Sequence, residues 1–246
     1  MGGQYAREPT DAHVHFTEDG IGDRYPDIDS VATMLCCSAG TDDWWKIEAA
    51  DRPGLIRFYG VHPWRVREWT SETASRLEGL LSADQSAGVG EIGLDSKKSP
   101  FPMADQDRVF REQLDIAERY GRIANIHSVG ADEETVAALR GRNVRAVIHG
   151  FSNESYARQY CRCGAYLSVN PRILARSEER VRRLIASIPE DRLLLESDAP
   201  FTPRFEGMRV FADSISDIMG IGTEELLSVV SANMSRLLHA GNGPED

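Results

Sequence analysis

The chain has no surplus of positive charge. Among its 246 residues, 28 are lysine or arginine and 39 are aspartate or glutamate, a formal net charge of −11. Such a chain does not grip nucleic acid or a membrane surface through its overall field. A nucleic-acid substrate held at one local basic rim, or through bound metal, stays compatible with that charge. Cysteine is scarce as well. Cys36, Cys37, Cys161 and Cys163 include no C-x-x-C spacing, so no structural thiolate zinc site is expected. They read as buried thiols in a reducing compartment, and the cytoplasm is the expected location. No run of eighteen apolar residues occurs, so no membrane-spanning helix is expected. The first ten residues, "MGGQYAREPT", lack the apolar centre of a signal peptide. No linker or low-complexity block divides the chain, so one domain over residues 1–246 is expected. That length buries a core without disulfides.

What the chain does have is a series of short apolar runs. They are "DAHVHF" (11–16), "VATMLCCSA" (31–39), "LIRFYGVHPW" (55–64) and "GVGEIGLD" (88–95). They continue with "IANIHSVG" (123–130), "VRAVIHGFS" (144–152), "AYLSVNP" (165–171) and "RLLLESDAPF" (192–201). Runs rich in Val, Ile, Leu and aromatics that end at turn residues are the pattern of buried parallel strands. Adjacent Cys36 and Cys37 are expected on opposite faces of one of them. Helical stretches lie between the runs. Residues 104–120 carry an apolar stripe through Val109 or Phe110, Gln113 or Leu114, and Ala117. A final helix is expected over 223–239, with Glu224 and Glu225 in its first turn, Arg236 and His239 in its last, and Gly241 after it. Eight strand–helix units in this length predict a TIM (β/α)8 barrel; a doubly wound open sheet, the other α/β solution, needs fewer strands. Trp44 and Trp45 are expected to pack a helix against the barrel.

In such a barrel, chemistry gathers at the carboxyl ends of the strands. Five of the six histidines fall at predicted strand ends: His13, His15, His62, His127 and His149, leaving only His239 elsewhere. Glu91, Asp95, Glu196 and Asp198 fall there too. Alternation along a strand puts residues 13 and 15 on one face, so two imidazoles can hold one ion. Asp11 is expected on that same face, one step deeper, as an orienting partner for a histidine. Each of these residues alone has an ordinary structural explanation. Together they predict a metal site, with a donor set suited to Zn²⁺ or Mn²⁺.

The set "DAHVHF", "GVHPW", "VGEIGLD", "NIHS", "IHGFS" and "LLLESDAP", closed by "ANMSRLL", resembles the TatD-like metal-dependent hydrolases of the amidohydrolase superfamily. The resemblance runs through all eight strands in order. It implies two divalent ions (Zn, Mg or Mn). His13 and His15 look like ligands of the first ion, and His127 and His149 like ligands of the second. Glu91 looks like a carboxylate bridging both. Asp198 looks like a ligand of the first ion that handles the nucleophile's proton, and His62 like a contact to the substrate phosphate. Glu91, Asp198 and His62 are thus the expected catalytic group. The implied activity is a deoxyribonuclease, a 3′-5′ exonuclease-like phosphodiesterase acting on DNA or another phosphodiester, with no membrane and no obligate protein partner. Two ions in such a site generate hydroxide near neutral pH and clamp a phosphoryl oxygen.

The surrounding loops depart from the family. "SKKSP" follows "GEIGLD" where tyrosine is usual, Val129 stands where the family has arginine, and "TPRFEGMRV" is short. These departures favour an alternative reading, an amidohydrolase-like enzyme for a small ester, amide or phosphoester. Lys97, Lys98, Arg172 and Arg204 are left as candidate rim cations, with Lys98 and Arg204 the expected substrate contacts. Trp64 is a candidate for stacking on a base.

Overall fold

A computed structural model describes residues 7–239. Residues 240–246, including the expected stop at Gly241, lie outside the described residues, as does most of the opening segment. Eight strands form one parallel sheet in sequence order: β1 (Thr10–Val14), β2 (Thr33–Cys37), β3 (Leu55–Tyr59), β4 (Gly88–Asp95), β5 (Ala124–Val129), β6 (Ala146–His149), β7 (Tyr166–Val169) and β8 (Leu193–Leu195). The helices are α1 (Ile21–Arg24), α2 (Trp44–Ala49), α3 (Ser71–Ala83), α4 (Met103–Arg119), α5 (Asp132–Leu139), α6 (Ala157–Arg162), α7 (Glu178–Ala186), α8 (Met208–Met219) and α9 (Thr223–His239). The seam between β8 and β1 is closed just past β8. Asp198 N–H donates to His13 O (3.0 Å), and His15 N–H donates to Ala199 O (2.9 Å). The predicted barrel is therefore present, and the open sheet is excluded. Among the described residues no helix is long and apolar enough to cross a membrane.

Alternation sorts the core into two layers. Leu35, Cys37, Phe58, Val147 and Leu194 form an inner cluster, floored by Met234 and Leu237 of α9. Met34, Cys36, Tyr59, Ile126 and Ile148 belong to the larger sheet–helix layer. The two adjacent cysteines do face opposite ways. Phe58 fills the barrel interior because Gly88 faces it across the β3–β4 ladder, where a Cβ would come within 2.2 Å of the ring.

Three local expectations are corrected. The runs read as strands were too long at their carboxyl ends: His15, His62, Glu196 and Asp198 lie on loops just beyond β1, β3 and β8. Only Trp44 packs inward, donating from Nε1 to Gly60 O (3.1 Å), while Trp45 is 61 % exposed. Asp11 does not share a face with the histidines. The β1–β2 register shifts between Asp11 and Val14, and such a bulge breaks alternation. Asp11 instead accepts from Tyr25 OH (2.8 Å), Ser197 N–H (2.9 Å) and His13 N–H (3.1 Å), tying β1 to the loop after β8.

Candidate metal centre

At the carboxyl ends of the strands the predicted residues converge. His13 Nε2 lies 3.2 Å from His15 Nε2. Glu91 Oε2 is 3.6 Å from the first nitrogen and 3.5 Å from the second. Asp198 Oδ1 lies 4.0 Å from His15 Nε2. The other oxygen of Glu91 serves a second group: Oε1 is 2.7 Å from His127 Nδ1 and 3.1 Å from His149 Nε2. The His13 and His149 rings stack at 3.9 Å, so the two groups adjoin.

The histidines are oriented from behind. His13 Nδ1 meets Asn125 Oδ1 at 2.8 Å, and Asn125 Nδ2 donates to Ala12 O, which fixes the amide's direction. His127 Nε2 faces Asp95 Oδ2 at 3.4 Å, and His149 Nδ1 faces Glu196 Oε1 at 3.1 Å. An acceptor behind each of these three rings holds a proton there and turns the other nitrogen's lone pair inward, the usual arrangement of metal-ligating histidine; the buried Nδ1 of His15 has no such partner among the described residues. Asp95 is itself held by Trp64 Nε1–H (2.7 Å) and by the backbone N–H groups of Lys97 and Lys98. Asp95 and Glu196 were expected only as members of the strand-end donor set, and Asn125 had no role from sequence; all three stand behind histidines instead. A signal was available for Asn125, which precedes His127 by two residues within β5 and so shares its face.

His62 differs from the others. Its Nδ1 accepts from Trp64 N–H (3.1 Å), which leaves the proton on Nε2, 3.4 Å from Glu91 Oε1. It is a donor towards the site, not a lone pair.

The electrostatics favour cations. Burial pushes the Glu91 carboxyl up, but His62, His149 and His13 together outweigh this and hold it well below its ordinary value. Burial disfavours charge on His149, yet Glu196 and Glu91 raise it well above the usual imidazole range. His13, mainly through burial and then through His149, is pushed well below that range. In the chain alone, protons on the rings offset carboxylates that a divalent ion would neutralise. Inward nitrogen lone pairs together with carboxylate oxygens therefore fit divalent ions that accept mixed nitrogen and oxygen donors, such as Zn²⁺ or Mn²⁺. The ring and carboxyl atoms of His13, His15 and Asp198 lie within 4.8 Å of one another, as do those of His13, Glu91 and His149.

Above these groups opens a cavity of about 570 Å³. Lys98 and Arg172 line it, as do Arg65 and Arg176, which sequence reasoning missed. Trp64 and Phe201 stand at its edge, 43 % and 50 % exposed. Arg204 is exposed and does not line the cavity, nor does Lys97. The turn after Asp198, in which the Phe201 and Thr202 N–H groups donate to Asp198 O, carries the chain away before Arg204 is reached. In its place Arg172 reaches in: Nη1 donates to Asp198 Oδ2, and Nη2 donates to Phe201 O (2.9 Å).

A sequence model of the family described as TatD related DNase matches residues 10–239. An uncharacterised metal-dependent hydrolase of Bacillus subtilis is 29 % identical over 191 residues, which cover 72 % of this chain and 75 % of the relative. The 3′-5′ ssDNA/RNA exonuclease TatD of Cronobacter sakazakii is 35 % identical over 178 residues, 70 % of this chain and 68 % of the relative. Among solved structures, a TatD homologue of Escherichia coli superimposes with a TM-score of 0.81 at 23 % identity, covering 94 % of this chain and 97 % of the other.

Proposed function

The chain belongs to the TatD-related DNase family of metal-dependent hydrolases, and from that premise we propose that it is a phosphodiesterase that trims DNA from its 3′ end with two divalent ions. The observation that carries this reading is the division of Glu91. One oxygen faces His13 and His15 and the other faces His127 and His149, an arrangement suited to one carboxylate shared by two ions. Ions held there would supply a water nucleophile at neutral pH and offset charge on a phosphoryl oxygen. Zn²⁺ or Mn²⁺ suits four imidazoles better than Mg²⁺, which prefers oxygen ligands.

The chain's own groups divide the remaining work. Asp198, on the His15 side, receives the proton released by the attacking water. His62 presents Nε2–H to a phosphate oxygen or the leaving group, with its tautomer set by Trp64 N–H. Lys98 supplies positive charge at the rim of the cavity. All four cysteines are free, which supports a reducing, cytoplasmic setting.

The test is a time course on 5′-labelled single-stranded and duplex DNA with Mg²⁺, Mn²⁺ or Zn²⁺. The expected product is a ladder shortening from the 3′ end, abolished in Glu91→Gln. Intact DNA with every ion, while metal analysis shows the protein loaded, overturns the reading. Turnover of a small ester or amide instead would favour the small-molecule alternative.

A further inference from the structure

The division of labour above leaves the guanidinium nearest the reacting groups without a task. Arg172 is the second residue of the short 3-10 segment Pro171–Ala175 that follows β7. Its backbone is anchored, because Asn170 Oδ1 accepts Arg172 N–H (3.2 Å) while Asn170 Nδ2 donates to Glu196 Oε1 (3.1 Å) behind His149. Its guanidinium is not enclosed. The Arg172 side chain is 46 % exposed, whereas the Asp198 side chain it pairs with is 7 % exposed. A guanidinium has five N–H donors in a planar fork. Asp198 Oδ2 and Phe201 O are its protein acceptors among the described residues, and the group borders the cavity.

The neighbouring arginines are otherwise engaged. Arg65 is paired with Asp42 (2.7 Å) and Glu68, and Arg176 donates to Ser152 O (3.0 Å). Asp198, meanwhile, is split between two directions. Oδ1 faces the His13–His15 group and Oδ2 faces Arg172.

We propose that Arg172 is a substrate-binding arginine that bridges Asp198 and an incoming phosphodiester, so that the anion can approach beside a buried carboxylate. This rests on the nuclease reading of the site. An anionic phosphate entering near the buried carboxylates of Asp198 and Glu91 meets like charge. A guanidinium that keeps one amino group on the carboxylate and offers its free donors to the phosphate removes that repulsion and fixes the phosphate's position. Lysine concentrates its charge at one point and cannot span two anions in the same planar way. The cation thus enters from the strand-seven loop, while the strand-five position facing the cavity is Val129.

The test uses the full chain, with Arg172→Gln and Arg172→Lys. Binding of a 5′-fluorescein oligothymidylate is followed by anisotropy in chelator across a KCl series. Calorimetry with Mn²⁺ and steady-state cleavage of the same oligonucleotide follow. For Arg172→Gln the expected result is oligonucleotide binding weaker by about tenfold or more, with the salt slope reduced by about 0.7, the amount for one lost phosphate contact on a single strand. KM should rise by a similar factor while kcat changes little. Mn²⁺ affinity should match or exceed that of the parent, since a competing positive charge is gone, and Arg172→Lys should recover part of the binding. Arg172→Gln that binds the oligonucleotide with parental affinity and slope overturns the proposal while leaving the nuclease reading intact. So does a variant whose chief loss is Mn²⁺ affinity, because Arg172 would then serve only to orient Asp198. A parent protein that neither binds nor cleaves the oligonucleotide overturns both.

Discussion

At the scale of single residues, the groups behind the proposed ligands are as informative as the proposed ligands themselves. Asn125 holds His13 from one side and Ala12 O from the other. Asn125→Leu is expected to weaken divalent-ion affinity by about 10- to 100-fold, the usual effect of losing a partner behind a ligand. Competition with a chromogenic chelator measures it, and unchanged affinity would show that the ring is oriented by packing alone. Asp43, next to α2, is a different case. One oxygen accepts Ala39 N–H (2.9 Å), the other has no hydrogen-bond partner among the described residues, and burial pushes its carboxyl from 3.8 up to about 6. The folded state thus holds the proton more tightly than the unfolded chain. Stability from this group is full below about pH 4, falls as pH rises towards 6, and stays lower above, by at most about 3 kcal/mol. Asp43→Asn should therefore gain on the parent between pH 4 and pH 7 and then level off. Urea melts of chelator-treated protein read this out, and a difference that does not vary with pH counts against it.

At the scale of elements, α4 does more than cover the sheet. Its buried face carries two glutamines. Gln113 Oε1 accepts Val61 N–H (2.8 Å) and its Nε2 donates to Val61 O (3.1 Å), clamping the loop at the residue before His62. Gln106 Oε1 accepts Asp95 N–H (2.8 Å) at the end of β4. The helix thus fixes both His62 and the carboxylate behind His127. Gln113→Leu keeps the volume but strands a buried N–H and C=O. The expected cost is about 2–4 kcal/mol in denaturant unfolding, together with reduced cleavage through a loosened His62. A variant with parental stability would mean the loop finds other partners. The apolar stripe of this helix was legible from its periodicity. The clamp was not, because nothing in a sequence says which backbone groups a buried amide will meet.

At the scale of the whole molecule, the centre draws on β1, β4, β5 and β6 and on the loops after β1, β3 and β8. Ions bound there would tie distant parts of the chain together and bind only the folded state. At about 100 times its dissociation constant, one such ion adds about 2.7 kcal/mol, and for a chain of this size each kcal/mol raises Tm by about 2–4 °C. Thermal melts with increasing Mn²⁺ or Zn²⁺ should therefore rise by several degrees in the parent and much less in Glu91→Gln. Equal shifts in both would place the ions elsewhere.

The sequence by itself determined the barrel and the donor set. Eight apolar runs punctuated by turn residues leave few ways to bury all faces, and histidines and carboxylates placed at strand ends are read directly from position. The tertiary structure decided what lies behind and above them. It put Asn125 behind His13, moved Asp11 away from the histidines through a register shift, and turned the chain after Asp198 so that Arg172, not Arg204, reaches the mouth. The physical reason is range. Strand alternation and turn chemistry act over a few residues and are written locally. The Arg172–Asp198 and His13–Asn125 contacts join residues far apart in the chain, and they exist only because the barrel closes.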